Sequence, residues 1–322
     1  MDSSDTAHRP VFVAEQLSYL APRPGGHYAD CTCGHGHFAA RLAASLPAEG
    51  RLLCIDVNEA AVAATARRLA RFGERCVVVR GSYVDLPALA ADVGLGPFQG
   101  IVIDAGCISR EELMSPDLGL SFTVDGELNM KVSPETPGPT ARELVATLTA
   151  REMAALFREA GESPRTARLL ASAIERARTR EPLTRTVQLA QVIEQAVDAA
   201  RVRRGERHPA TRAFLALRSA VNRELPVLAQ GLEAAISALA PGGRLCVLTY
   251  YGTEHALVRQ AFRSLERGCT CPPDLPVCGC GHRSLVRRLV RDPLPPSTRE
   301  VRANDSARSA RLHCVERTAA PM

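Results

Sequence analysis

The chain has 322 residues, 46% of them apolar, which is long and apolar enough for one large or two ordinary domains around a real core. No window approaches ~18 uninterrupted apolar residues, and Met1-Asp-Ser-Ser-Asp-Thr lacks the basic start and apolar run of an export signal; a soluble cytoplasmic protein without a membrane partner is expected. The net charge of +5 is carried almost wholly by arginine, with Lys131 the only lysine, and this fits RNA phosphates and a GC-rich coding sequence equally well.

The first predicted strand, 28–32, opens the run Tyr28-Ala-Asp-Cys-Thr-Cys-Gly-His-Gly-His-Phe38. A strand, a glycine turn at Gly34 and Gly36 and a helix start at His37 and Phe38 would turn backbone N–H groups and a positive dipole end toward a ligand. The next strand, 52–55, is closed by Asp56, an acid placed to take the two hydroxyls of an adenosine ribose. Because Gly34-His-Gly36 is followed by His37-Phe38-Ala39, the third glycine of a pyrophosphate-binding loop is missing. S-adenosylmethionine is therefore the first expectation for the ligand, and a nicotinamide dinucleotide the second.

An alanine-rich helix at 59–72, a strand at 76–79 followed by Ser82-Tyr83, and a strand at 100–104 continue the alternation. Such βαβ units predict a parallel sheet, whose ligands sit beyond the carboxyl ends of the strands. Gly36, Asp56, Ser82-Tyr83 and Asp104 all fall there. Tyr83 suits ring packing on adenine or a half-buried strand end, and Asp104 suits a donor or amine contact.

After Asp104 the pattern becomes helical. Thr140-x-x-Glu143 and Thr149-x-x-Glu152 read as capping boxes, and Ser163-Pro164 reads as an N-cap with a first-turn proline. Strand pattern returns in Pro241-Gly-Gly-Arg-Leu-Cys-Val-Leu-Thr-Tyr-Tyr251, then a helix at 254–265 and a strand at 310–315. The expected organisation is a discontinuous ligand-binding domain, 1–107 and 208–322, interrupted by a helical insertion at 108–207. The basic run Arg201-Val-Arg-Arg-Gly-Glu-Arg207 is a solvated linker or a phosphate contact. Eleven cysteines in a chain this long without an export signal read as thiols or metal ligands. Cys269-Thr-Cys271 and Cys278-Gly-Cys280 can place four thiolates around a structural zinc, although Cys-x-Cys does not readily form a zinc knuckle.

His208-Pro-Ala-Thr-Arg-Ala-Phe-Leu-Ala-Leu-Arg218 and Val221-Asn222-x-Glu224-Leu225 resemble, almost position by position, segments of the bacterial 16S ribosomal RNA cytosine-N4 methyltransferase family, RsmH or MraW. Asp125-Gly126, the run from Leu183 to Ala190, Leu239-Ala-Pro-Gly-Gly-Arg-Leu245 and Ala307-Arg-Ser-Ala-Arg-Leu312 add further matches, so the resemblance spans nearly the whole chain. It implies an α/β fold of the class I (Rossmann-like) methyltransferase type with an inserted helical domain that faces RNA. The expected partner is ribosomal RNA or the small ribosomal subunit, with no DNA.

The strand-end pattern and the resemblance together put Gly34, Gly36, His37, Phe38, Asp56, Tyr83 and Asp104 on the cofactor side, the resemblance alone adds Glu111, and Asp104 is the leading acceptor for the reacting amine. Departures gather here. The family's Gly-Gly-His lines up with Gly36-His37-Phe38, and its Asp-Met-Arg-Met-Asp with Asn129-Met-Lys-Val-Ser133, which loses both carboxylates. Its Ser-Phe-His-Ser-Leu-Glu-Asp lines up with Thr249-Tyr-Tyr-Gly-Thr-Glu-His255. Two alternatives thus stand beside RNA methylation: a paralogue with another acceptor, and a catalytically inactive RNA-binding or assembly protein.

Overall fold

A computed structural model of the chain describes residues 10–47, 49–106, 108, 110–199, 208–268, 271, 279, 280 and 282–320. In chain order, α1 (Val13–Leu20), β1 (His27–Asp30), α2 (His37–Ser45), β2 (Arg51–Asp56), α3 (Glu59–Leu69), β3 (Cys76–Arg80), α4 (Leu86–Asp92) and β4 (Phe98–Asp104) come first. Six helices follow: α5 (Arg110–Leu113), α6 (Ala141–Thr147), α7 (Ala150–Glu159), α8 (Pro164–Arg178), α9 (Thr186–Ala199) and α10 (Ala210–Val221). The chain closes with α11 (Glu224–Ala238), β5 (Leu239–Thr249), α12 (Gly252–Glu266), β6 (Val286–Arg288), α13 (Thr298–Ala303) and β7 (Arg311–Arg317).

All seven strands form one sheet in the order β3-β2-β1-β4-β5-β7-β6. Neighbours from β3 to β5 are parallel, and β7 runs antiparallel to both β5 and β6. The central strands are near-continuous apolar runs because helices cover both faces. Alternate residues divide cleanly: Leu53, Ile55, Ile101, Ile103, Leu245 and Val247 pack with Leu228 and Leu232 of α11 and Val258 and Phe262 of α12. Leu52, Cys54, Val102, Cys246 and Leu248 pack on the other face with Leu20 of α1, Leu42 of α2 and Leu69 of α3. Helix α3 starts where Asn58 Oδ1 accepts from the N–H groups of Ala60 and Ala61, at 2.9 and 3.4 Å, and ends on Arg67 and Arg68, which complement its dipole. Cys246 and Cys314 face one another across β5 and β7 as thiols, with Sγ atoms 3.4 Å apart.

Contacts divide the described residues into a sheet unit, within 10–106 and 226–320, and a helical unit, within 108–225. The α/β sheet with an inserted helical portion is as expected, but the return to the sheet unit falls near 225 and not at 208. The reason is α10: Ala213, Phe214, Leu217 and Val221 bury into the cluster formed by Leu128, Met153, Phe157, Leu170, Ile174 and Ile193. Both predicted capping boxes form. The Glu143 carboxylate accepts from the Thr140 N–H at 2.7 Å, and Glu152 from that of Thr149 at 2.8 Å. Ser163 caps α8 through the Thr166 N–H.

The segments that carry the family resemblance in the helical unit hold it together. Arg185 bonds both Asp125 oxygens at 2.8 and 2.9 Å, and Thr186 Oγ1 accepts from the Gly126 N–H. His208 accepts the Ala210 N–H at its Nδ1, meets Glu194 at 2.6 Å through Nε2 and stacks on Phe122. Arg212 pairs with Glu162 at 3.6 Å, and buried Arg218 grips Glu224 through two contacts of 2.7 and 3.1 Å. Asn222 ties this corner to the loop before α6, donating to the Met130 carbonyl at 2.7 Å and accepting from the Val132 N–H at 3.0 Å. The run from Arg201 to Arg207 lies outside the described residues.

Candidate active site

The strand order brings the carboxyl ends of β3, β2, β1 and β4 side by side, so Tyr83, Asp56, the turn after Asp30, and Asp104 share one edge of the sheet. The turn is tied down from both flanks. The Cys31 N–H donates to the Val102 carbonyl at 2.9 Å and the Cys33 N–H to the Ile55 carbonyl at 3.0 Å, extending the ladder past the last strand residue.

Gly34 and Gly36 both adopt left-handed backbone, with φ of +50° and +77°. Their reasons differ. A Cβ on Gly34 would meet nothing within 4 Å, whereas one on Gly36 would come within 2.8 Å of Thr65 Oγ1 and 3.1 Å of its Cα. Gly36 is therefore the contact point between the turn and α3, and Thr65 completes it by donating to the Gly34 carbonyl at 2.6 Å. Asp56 is oriented by the same turn: its Oδ2 accepts from the Gly34 N–H at 2.8 Å and its Oδ1 from the Asn58 N–H at 2.9 Å.

His37 opens α2 and its Nε2 lies 3.2 Å from Arg68 Nη2 of α3. Phe38 leans on the apolar cluster that contains Ala39, Leu42 and Leu69. Tyr83 sits in a one-turn 3-10 helix after β3, with its ring pressed on α11, where a Cβ on Gly231 would lie 2.0 Å from the ring. Glu111 belongs to α5, and its side chain is outside the described residues.

Thr32 and Tyr250 both hold Asp104. Its N–H donates to Thr32 Oγ1 at 2.7 Å, and the Tyr250 hydroxyl donates to its Oδ2 at 3.2 Å. Asp30, which the sequence reading passed over, is only 2% exposed at the end of β1. Burial first, and then the negative charges of Asp104 and Asp56, push its carboxyl up from 3.8 to about 7 against the pull of the Thr32 N–H. That mutual influence locates three carboxyl groups in one neighbourhood. They repel a pyrophosphate and favour a cation.

Behind Tyr250, Thr249 Oγ1 bridges His255 Nδ1 and His313 Nε2, the latter at 3.0 Å. Both imidazoles are held neutral by burial: His255 is lowered, and His313 falls from 6.5 to about 3. The buried Glu254 carboxylate accepts from the N–H groups of Tyr250 and Tyr251 at 2.8 and 3.2 Å, which fixes the backbone where β5 gives way to α12. The signal for this cluster was present only as a histidine six residues after Thr249 and another in the last strand, which pattern alone does not connect.

Among the described residues no group of three or more His, Cys, Asp or Glu is arranged to hold a metal ion. Two of the four cysteines of the zinc reading, Cys269 and Cys278, lie outside those residues; Cys271 and Cys280 are within them. Among the described residues no helix is long and apolar enough to cross a membrane.

A sheet in which five parallel strands are followed by an antiparallel seventh, inserted between the fifth and sixth, is the plan of the class I methyltransferases, and the chain is one of that class. Residues 5–318 match the MraW methylase family. The chain belongs to that family, as the resemblance implied. A protein of Thermomicrobium roseum named ribosomal RNA small subunit methyltransferase H is 43% identical over 319 residues, covering 99% of this chain and 96% of its own. Proteins of the same name from Heliobacterium modesticaldum and Symbiobacterium thermophilum are 40% and 41% identical; each alignment covers 96% of this chain, and 98% and 96% of theirs.

Proposed function

We propose that the chain transfers a methyl group from S-adenosylmethionine to the exocyclic N4 of a cytosine in the RNA of the small ribosomal subunit. The observation that carries this reading is the set of strand-end carboxyl groups, with Asp104 held by Thr32 and Tyr250 and Asp56 held by the glycine turn.

The residues present suit the donor. Asp56 would take the ribose hydroxyls, since a carboxylate has about four acceptor sites and the two backbone N–H groups orient it. The turn at Gly34 and Gly36 and the first turn of α2, with His37 and Phe38, would supply backbone N–H groups, and Tyr83 would border the adenine. Glu111 is carried over from the resemblance alone. When bound, S-adenosylmethionine supplies an electrophilic methyl on a positively charged sulfur, which Asp30, Asp56 and Asp104 favour electrostatically.

The cytosine amine is a poor nucleophile because its lone pair is delocalised into the ring. Asp104 would accept a hydrogen bond from the amine, aim its lone pair and take up the positive charge that develops as the N–C bond forms. The displaced proton leaves by way of that carboxylate to water. The helical unit would provide RNA recognition, and the relatives' names favour ribosomal RNA as the acceptor.

The test has two arms. Calorimetry with S-adenosylmethionine should show saturable binding, and nucleoside mass spectrometry of ribosomal RNA from a deletion strain should show loss of N4-methylcytidine. Binding with unchanged N4-methylcytidine points to another acceptor. Absence of donor binding leaves an RNA-binding assembly factor, a reading favoured by Asn129 and Ser133, which stand where the family pattern has carboxylates.

A further inference from the structure

We propose that Tyr250 is a positioning residue for Asp104: its phenol, fixed at the end of β5, bonds the Asp104 carboxylate and sets the rotamer in which that group meets the amine to be methylated. The inference rests on the methyl-transfer reading above and adds a residue to it.

The geometry has three parts. First, the contact itself joins residues 146 apart in sequence, Tyr250 Oη donating to Asp104 Oδ2 at 3.2 Å. Second, Tyr250 is anchored before it reaches Asp104. Its N–H is bound by buried Glu254 at 2.8 Å, its ring packs against the cluster containing Leu248 and Leu312, and the preceding Thr249 is pinned between His255 and His313. A donor held in this way loses little freedom when it makes its bond. Third, Asp104 lies near enough to Asp30 for its charge to help raise the Asp30 carboxyl, so the orientation of the Asp104 carboxylate matters to the whole strand-end cluster.

An aspartate side chain has two rotatable bonds, and the Thr32 contact is to the backbone N–H of Asp104. Tyr250 bonds the carboxylate group itself. The family pattern quoted above has phenylalanine here, which fills the same space without a donor. Tyr250→Phe removes the bond while keeping the ring.

The experiment compares wild type, Tyr250→Phe, Asp104→Asn and the double variant. Steady-state methylation of 16S RNA should show kcat lowered roughly 10- to 100-fold in Tyr250→Phe. KM for RNA and the calorimetric Kd for S-adenosylmethionine should stay within about twofold of wild type, because a misaimed acceptor slows transfer without weakening capture. A second readout does not depend on activity. The chain has five tyrosines and no tryptophan, and a phenol bonded to a carboxylate emits weakly, so Asp104→Asn should raise tyrosine fluorescence in the wild-type background and leave it unchanged in the Tyr250→Phe background.

Wild-type kcat in Tyr250→Phe, or a loss confined to KM or Kd, overturns the positioning role while methyl transfer stands. An equal fluorescence gain in both backgrounds overturns the contact. A wild-type protein that binds donor yet methylates no RNA overturns the reading on which the inference depends, and the inference with it.

Discussion

Asp30 carries a cost that the pH of the medium sets. Its carboxyl is raised from 3.8 to about 7, so between those values the folded protein holds a proton that the unfolded chain has released. Stability from this group is fully present below pH 3.8 and is lost as pH rises through 7. His313 has the opposite sign. Lowered from 6.5 to about 3, it contributes stability above pH 6.5 that is lost as pH falls toward 3. The two trends oppose each other over most of the acid range, and Asp30→Asn separates them. In urea unfolding this variant should gain on wild type by about 2 to 3 kcal/mol between pH 5 and pH 8, of the order that ~1.4 kcal/mol per pH unit allows. A gap that stays constant with pH would show that Asp30 ionises normally. The ionised form also favours a cationic donor. Wild-type affinity for S-adenosylmethionine should therefore tighten more between pH 6 and pH 8 than that of Asp30→Asn, by about threefold to tenfold, as calorimetry at both pH values would register. Tyr83 offers a further test through its support: Gly231→Ala puts a methyl 2.0 Å from its ring, so the ring must swing aside. Donor Kd should rise about 10-fold with α11 still folded, and an unchanged Kd would remove Tyr83 from the adenine site.

At the scale of elements, α10 and its flanks are a fastening device. Arg218 is 6% exposed and its partner Glu224 also sits largely out of water, so Arg218→Ala leaves a carboxylate stranded. Breaking such a pair costs about 3 to 5 kcal/mol. Chemical denaturation should show that loss, and Arg218→Met with Glu224→Leu should recover most of it; equal losses in the two variants would assign the cost to packing alone. The strands β1 to β5 were readable from short apolar runs between glycines and helix-like stretches, because strands buried on both faces have no alternative composition. The capping boxes at Thr140 and Thr149 were readable because their whole mechanism fits in four residues. Helix α1 and the three-residue β6 were not read, being short and without a distinctive start or period. Asp30 was visible as a residue, but its meaning comes from Asp56 and Asp104, which reach it only through the sheet order. The same holds for Tyr250 and Asp104, and for Thr249 between two histidines. Gly36 was recognised as a turn glycine, yet its partner proved to be Thr65 of the next helix.

For the whole molecule, the sheet unit owns two complete apolar clusters, one on each face, and the helical unit owns a third. Replacing residues 108–225 with a flexible linker of about 10 residues should leave a sheet unit that unfolds in a single cooperative transition, detectable by circular dichroism, since α11 supplies the crossover to β5. Non-cooperative melting of that variant would mean that the sheet needs the helices to fold. The plan also has a consequence on the ribosome. Asp104 ends β4, and the strand that covers its open side begins at Leu239. At about 5 to 20 residues per second, on the order of 10 s of synthesis separates the two. Throughout that interval the nascent chain displays an apolar strand with unsatisfied ladder groups, while the helical unit has time to fold on its own. Synthesis is thus a stage at which β4 lacks one of its two sheet neighbours, and a holding chaperone that shields this strand should raise the yield of folded protein.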